Sequence, residues 1–208
     1  MYDMHLLAMK MSQPGISERE VVGAMMGLVE ARGGSPAFPS IFSADGQILH
    51  NPHHQNVMQD GDIIINDSGV ESSMHYASDI TRTFPVGGKF TQKQMEIYTV
   101  VLDTQVKAIE AMTPGVEYRK VHDLACCHIA AGLKALGLMR GDVDEAVAAG
   151  AHALFMPAGL GHMLGLDVHD MEDLGEDYVG YTETIRRSKQ FGISQLRLGR
   201  TLETGFVV

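Results

Sequence analysis

The chain of 208 residues has little positive charge, little cysteine and no long hydrophobic run. Its 16 Lys and Arg against 26 Asp and Glu give a formal net charge of −10, which argues against nucleic-acid binding through a basic surface. Cys126 and Cys127 are adjacent within a helical pattern and cannot easily bridge each other, so no disulfide framework is predicted. We therefore expect a reducing, cytoplasmic setting and no nucleic-acid partner.

No run of eighteen apolar residues occurs, and Met1 is not followed by a charged and then apolar leader. The sequence therefore predicts neither a membrane span nor a signal peptide. An apolar content of 45% over this length is typical of one domain with a substantial core.

The most informative stretch, residues 61–89, predicts a two-stranded hairpin that carries two acids. The β-branched run over 63–65 favours a short buried strand, which ends at Asp67, and the second arm over 74–84 carries Asp79 in its middle. If the arms pair, the two carboxylates converge. Like charges held close either keep a proton or bind a cation. Either aspartate alone is also typical of a turn or a strand end, so only the pair points to metal.

Helices are predicted over residues 2–11, after the capping box Ser17–Glu20, after a second capping box Thr91–Gln94, and from about 118. The last of these is predicted to bury the following side chains: Val121, Leu124, Ala125, His128, Ile129 and Leu133. Short strands are predicted over 38–42 and 48–49, and the polar stretch 172–194 is predicted to be an exposed loop.

The two Pro-Gly pairs that precede helices indicate an internal repeat. Pro14-Gly15 and Pro114-Gly115 are one hundred positions apart, and Arg19 and Val21 have identical counterparts at the same distance. The match is short, and common helix-start chemistry can produce part of it by chance. It agrees nevertheless with a fold built from two related halves.

Three motifs resemble the X-Pro peptidases, the prolidase and aminopeptidase P group. They are Asp67-Ser68-Gly69, the stretch from Ser78 to Thr91, and the stretch from Gly159 to Asp170. The resemblance covers essentially the whole chain. It implies an α+β pita-bread fold, in which two related α/β halves surround a curved antiparallel sheet, and it makes residues 1–208 a partial catalytic domain.

The resemblance also assigns roles to individual residues. It makes Asp67, Asp79 and His162 metal ligands, and it implies two divalent ions, manganese with cobalt or zinc as alternatives, that activate a water molecule. His50 and His169 match the two histidines that face the substrate and stabilise the tetrahedral intermediate; spacing alone would place both at the surface. Thr81, on the same strand face as Asp79, is a candidate for orienting a ligand carboxylate.

Two arginines near the end of the chain resemble a stretch in prolidases where an Arg binds the dipeptide's terminal carboxylate. Arg197 matches that role, and Arg200 lies close by in sequence. A guanidinium fork suits a carboxylate. The alternative is that both are solvated charges before a strand.

The sequence departs from the family in two places. Ala158 stands where the family usually has a histidine, four residues before His162. The family's two glutamate ligands would lie after Val208, so we expect a catalytic domain truncated at its C-terminus and lacking an N-terminal domain. With three of five ligands, this chain alone is expected to bind metal weakly and to be inactive.

The resemblance implies a cytoplasmic, homodimeric hydrolase that cleaves the bond before proline, in X-Pro dipeptides or at the start of longer peptides. The partner is then a peptide with proline in second position, with no nucleic acid and no membrane. Two alternatives stay open. One is another hydrolase on the same fold, acting in methionine removal or creatine hydrolysis; the other is a non-catalytic module that binds peptides or a partner.

Overall fold

The computed structural model describes residues 1–208 as six α-helices and five short strands, with 3₁₀ turns between them. The helices are α1 (Tyr2–Met11), α2 (Glu18–Ala31), α3 (Gln92–Ala111), α4 (Tyr118–Ala135), α5 (Val143–Ala148) and α6 (Glu176–Gly180). The strands are β1 (Ser35–Pro36), β2 (Ile41–Ser43), β3 (Ile63–Ser68), β4 (Val70–Glu71) and β5 (Ile80–Pro85). No helix combines the length and apolar composition that a membrane crossing needs.

The chain divides into two compact units. Unit 1 comprises Met1–Thr91 and Leu164–Val168, and unit 2 comprises Gln92–Met163 and His169–Val208. All five strands belong to unit 1, as a two-stranded pair β1-β4 and a three-stranded sheet in the order β2-β3-β5. Unit 2 is helical and irregular, with one isolated antiparallel bridge between Glu117 and Thr201.

Strand β3 is the centre of the antiparallel sheet, as its β-branched residues predict. Ile64, Asn66 and Ser68 are buried on one face, whereas Asp67 lies half-buried on the other. Asp67 is directly opposite Thr81 of β5 in the ladder. Pairing with β5 therefore places the acid of β3 beside the first residues of β5.

The second arm of the predicted hairpin is shorter than expected, so the prediction is wrong for residues 74–79. A tight turn closes there, in which the His75 N–H donates to Ser72 O at 2.8 Å and the Ser72 N–H donates to Tyr76 O at 2.9 Å. These backbone groups are used within the turn and are not available to the ladder. Asp79 consequently lies just before β5 and not within it.

Two smaller strand predictions also need correction. The strand predicted over 38–42 forms as β2, which begins at Ile41. Ile48 and Leu49, predicted to form a strand, lie in a turn that the Ile48 N–H closes by donating to Asp45 O at 2.9 Å, and their side chains are exposed. With no partner strand, this pair has no reason to be extended.

The Pro-Gly turn of unit 1 ties the start of α2 to a downstream segment. The Gly15 N–H donates to Met58 O at 2.8 Å, and the Met58 N–H donates to Ile16 O at 2.9 Å. Ser17 and Glu20 then form the predicted capping box at the N-terminus of α2.

Unit 2 repeats this arrangement before α4. The Gly115 N–H donates to Leu202 O at 2.8 Å, and the Leu202 N–H donates to Val116 O at 2.8 Å. A helix precedes the turn in both units, and it contacts the helix that follows the turn. The short sequence repeat therefore corresponds to a repeated helix–turn–helix structure with the same backbone bonds.

A buried polar network lies on the face of β3 opposite Asp67. Asn66 Nδ2 donates to His5 Nδ1 at 3.2 Å, Ser68 Oγ donates to Asn66 Oδ1 at 2.6 Å, and His5 Nε2 is 3.2 Å from Ser68 O. Because a carbonyl only accepts, His5 carries its proton on Nε2. Burial lowers the pKa of His5 below its usual value, although the hydrogen bond to Ser68 O acts in the opposite direction.

This network predicts a pH-dependent part of the stability. The folded state binds a proton at His5 less readily than the unfolded state, so the free energy of unfolding falls as the pH drops below about 6.5. In His5→Gln, we expect the loss of stability between about pH 7 and pH 5 to be smaller than in the wild type. Urea denaturation at each pH measures it.

The matched control is His53→Gln, which removes an exposed imidazole outside the network. Its pH dependence should equal that of the wild type. Equal pH dependence in all three proteins would contradict the assignment.

Candidate functional site

A close backbone contact brings the two acidic motifs of unit 1 together. A Cβ on Gly69 would lie 1.7 Å from Ser78 O, so only glycine fits at this position. Ser78 Oγ also donates to Val70 O at 2.7 Å and accepts from the Val70 N–H at 3.0 Å. This contact comes shortly after Asp67 and directly before Asp79, and it therefore holds those two residues in proximity.

The carboxyl groups of Asp67 and Asp79 are hydrogen-bonded to each other. Burial is the main cause that raises the pKa of Asp67 to about 6, and the negative charge of Asp79 raises it further. The Thr81 hydroxyl donates to the Asp67 carboxylate and acts in the opposite direction, as does the nearby His50. The structure thus brings together four of the residues singled out from the sequence.

This arrangement fits a divalent cation. Two acids at hydrogen-bond distance must share a proton or be bridged by positive charge. Carboxylate oxygens are the ligands that hard divalent cations prefer. Thr81 additionally fixes the orientation of one carboxylate, as partners of metal ligands commonly do.

His50 has an unusual backbone conformation. It lies in a turn with φ of 54°, in the left-handed region that residues other than glycine seldom adopt. Such conformations concentrate at functional sites because the surrounding structure must hold them. Its electrostatic effect on Asp67 places the imidazole near the acidic pair.

The histidines of the third motif, His162 and His169, are in contact within unit 2. Their ring centroids are 4.3 Å apart, with an angle of 70° between the ring planes. His162 Nδ1 is 3.0 Å from Met163 O, so this nitrogen carries the proton and Nε2 has the lone pair in the neutral ring. A histidine that binds a metal through one ring nitrogen usually donates the N–H of the other to a carbonyl or carboxylate, as His162 Nδ1 does here.

Gly161 explains why the motif requires a glycine directly before His162. A Cβ at this position would lie 2.4 Å from the hydroxyl oxygen of Tyr118, a buried side chain at the start of α4. Ala158, where the resembling family has a histidine, is partly buried and offers no side-chain donor.

Arg197 lies in a cluster of acids, with 38% of its side chain still exposed to solvent. Its guanidinium is 2.5 Å from Glu172 and 3.0 Å from Glu176. Glu172 is also 3.5 Å from His169 Nδ1, so one carboxylate connects the arginine with the histidine. Arg200 instead pairs with Glu203 at 3.0 Å.

The exposed loop predicted over 172–194 is therefore wrong in part. The segment contains a 3₁₀ turn at Glu172–Leu174 and helix α6, and it buries Val179 and Tyr181. Arg187 pairs with Glu176 and Asp177, which explains how so charged a segment packs. Glu172 is not among the residues singled out from the sequence, although it lies only three residues after His169.

Comparison with known proteins identifies relatives over the whole chain. The model of metallopeptidase family M24 matches residues 2–208. The chain is 40% identical to the Xaa-Pro aminopeptidase of Haemophilus influenzae over 178 residues, which cover 83% of this chain and 41% of that protein. It is 36% identical to the Xaa-Pro dipeptidase of Mus musculus over 212 residues, covering 98% of this chain and 41% of that protein.

The solved structure of proline aminopeptidase P II from Yersinia pestis is similar to this one with a TM-score of 0.83 at 34% identity. The similarity covers 98% of this chain and 43% of that one. The chain thus spans less than half the length of these relatives. The likeness confirms the α+β, pita-bread fold predicted from the motifs. The chain belongs to metallopeptidase family M24.

Proposed function

We propose that this chain is part of the catalytic domain of a metal-dependent hydrolase that cleaves the peptide bond before proline. The observation that carries the proposal is the pair of hydrogen-bonded carboxyls, Asp67 and Asp79, in a chain of an M24 family. The named relatives are Xaa-Pro aminopeptidases and an Xaa-Pro dipeptidase, which supports a peptide with proline in second position as substrate.

In this proposal Asp67, Asp79 and His162 are ligands of two divalent ions. Bound ions of this kind lower the pKa of water and polarise a carbonyl oxygen. Asp67 and Asp79 supply anionic oxygens whose mutual repulsion favours cation binding, and the hydroxyl of Thr81 keeps Asp67 oriented. The neutral ring of His162 supplies a nitrogen lone pair.

His50 and His169 are proposed to contact the substrate and stabilise the charge that develops on its carbonyl oxygen. The Glu172 carboxylate near His169 Nδ1 favours the proton on that nitrogen and so orients the ring. The resemblance further supports manganese as the native metal and a homodimer as the assembly. Neither Cys126 nor Cys127 is in a disulfide, which fits a cytoplasmic location.

The first test is hydrolysis by the full-length protein with added manganese, cobalt or zinc. We expect cleavage of an X-Pro dipeptide or of a tripeptide with proline second, and much slower cleavage when alanine replaces proline. Asp79→Asn should lower kcat/KM at least about a thousandfold, because charge stabilisation by metal contributes several kcal/mol. Inactivity of the wild type on both peptides with all three metals would contradict the proposal.

The second test concerns the hydrogen bond that the Thr81 hydroxyl donates to the Asp67 carboxylate. Thr81→Val removes the hydroxyl that stabilises the ionised Asp67 and should weaken manganese binding roughly 10- to 100-fold. Isothermal titration of the metal-free full-length protein measures it. Thr83→Val, the same change on the same strand opposite Ile65, is the control. Equal affinity of both variants would show that Thr81 does not position the ligand.

Arg197 is proposed to bind the terminal carboxylate of a dipeptide, in place of one of its two glutamate partners. Arg197→Ala should then lower kcat/KM for an X-Pro dipeptide about 10- to 100-fold, the worth of a charge-assisted hydrogen bond. For the same dipeptide with a C-terminal amide, which has no terminal carboxylate, the substitution should lower kcat/KM only slightly. Arg200→Ala is the control. Equal losses for acid and amide substrates would assign Arg197 a purely structural role.

A further inference from the structure

A second group of metal-binding side chains lies in the core of unit 2, separate from the residues discussed above. It consists of His122 and Cys126 of α4 and His152 of the 3₁₀ turn Ala151–Leu154. One ligand atom from each lies within 4.8 Å of the others, and all three side chains are buried. The sequence predicts Ala125 and His128 on the buried face of α4; Ala125 is buried, whereas His128 is only partly buried, and the pattern does not single out this group.

Helix α4 positions two of the three candidate ligands. His122 and Cys126 are four residues apart, so they lie on the same face of α4, and Cys126 Sγ is 3.5 Å from His122 Nε2. His152 approaches from a different element. A preorganised ligand pair on one helix, completed by a third ligand from a separate turn, is a common way to build a metal site.

The hydrogen bonding of the two imidazoles is incomplete. His122 Nδ1 and both nitrogens of His152 have no partner within hydrogen-bond geometry, and both rings are fully buried. The Val147 carbonyl lies near enough to raise the pKa of His152, but it does not form a hydrogen bond of accepted geometry. Buried polar atoms without partners destabilise a fold, so three of them in one place require a ligand or another explanation.

The electrostatics favour a cation at this position. Burial lowers the pKa of His122 to about 4 and also lowers that of His152, so both rings are neutral, as metal ligands must be. Burial, and then the nearby carboxylate of Asp123, raise the pKa of the Cys126 thiol to about 12, so the thiolate forms only when a bound cation offsets this cost. The same carboxylate acts on His152, which places a negative charge close to the group. The positive charge of Arg119 acts in the opposite sense, because it disfavours further positive charge at His122.

We propose that His122, Cys126 and His152 form a metal site for a cation of zinc's chemical class, which connects α4 to the turn Ala151–Leu154. Two imidazoles and a thiolate are typical ligands of such borderline ions. Bond lengths of about 2.1 Å to nitrogen and 2.3 Å to sulfur imply ligand separations of roughly 3.3–3.8 Å. The three ligand atoms, which lie within 4.8 Å of one another, would therefore move closer by at most roughly 1.0–1.5 Å.

The cysteine makes this site distinguishable from the proposed catalytic one. Asp67, Asp79 and His162 contain no sulfur, whereas cobalt(II) bound to Cys126 would show thiolate-to-metal charge transfer in the near ultraviolet. We therefore propose to titrate the metal-free full-length protein with Co²⁺. The expected result is a charge-transfer band whose intensity corresponds to one Co²⁺–thiolate site per chain. The band should disappear when added Zn²⁺ displaces the cobalt.

The adjacent cysteines provide a matched pair of variants. Cys126→Ser should abolish the band, and Cys127→Ser, which changes a thiol beside Asp144, should retain it. His152→Gln keeps a polar side chain of similar size but should weaken Co²⁺ binding more than roughly 100-fold, beyond the effect of losing an outer partner. This variant decides the matter if Cys126→Ser does not fold.

Three outcomes would overturn the proposal. They are the absence of a charge-transfer band in the wild type, its retention in Cys126→Ser, and its full retention with unchanged affinity in His152→Gln. None depends on peptide hydrolysis, so the site can fail while the proposed function stands, and the reverse also holds.

Discussion

The structure of unit 1 depends on the contact that holds two like charges together. Asp67 and Asp79 repel each other when both are ionised, and burial together with this repulsion raises the pKa of Asp67 to about 6, so that the pair holds a proton more readily than a free carboxylate does. The β3–β5 ladder and the contact between Gly69 and Ser78 keep them in place. A backbone that holds two acids close together suits a cation, because positive charge offsets the repulsion between them.

A network of hydrogen bonds on the opposite face of β3 also holds the strand that carries Asp67. The face of β3 opposite Asp67 is not a simple apolar surface but contains the hydrogen-bonded set His5, Asn66 and Ser68. Because all three are buried, a change of register in β3 would leave several polar groups without partners. The network thus specifies the position of Asp67 along the strand as well as stabilising the fold.

The two units share a local structure and differ in what they build on it. Each has a helix, a Pro-Gly turn bonded to a downstream segment, and a second helix. In unit 1 the chain continues into antiparallel strands that carry the acids. In unit 2 it leads to the paired His162 and His169, the acid-bound Arg197 and the buried group on α4. Backbone hydrogen bonds therefore explain the turn that both units share, whereas the two units differ in the side chains around that turn.

Much of the local structure follows from sequence because local physics decides it. The capping box Ser17–Glu20, the β-branched strand β3 and the helix starts after Pro-Gly each depend on residues close in sequence. The failures have the opposite character. Residues 74–79 form a turn and not a strand because their backbone bonds close locally, and the charged segment 172–194 packs because Arg187 and Arg197 lie beside its acids.

The sequence by itself determined the family resemblance, the α+β class and the chemical types of the candidate ligands. The sequence also predicted that Asp67 and Asp79 converge. Only the tertiary structure decided that Glu172 meets Arg197 and that His152 meets His122 and Cys126. The physical reason is that such contacts join residues on different elements. Their distances are set by strand register, tight glycine contacts and helix packing, which no spacing along the chain encodes.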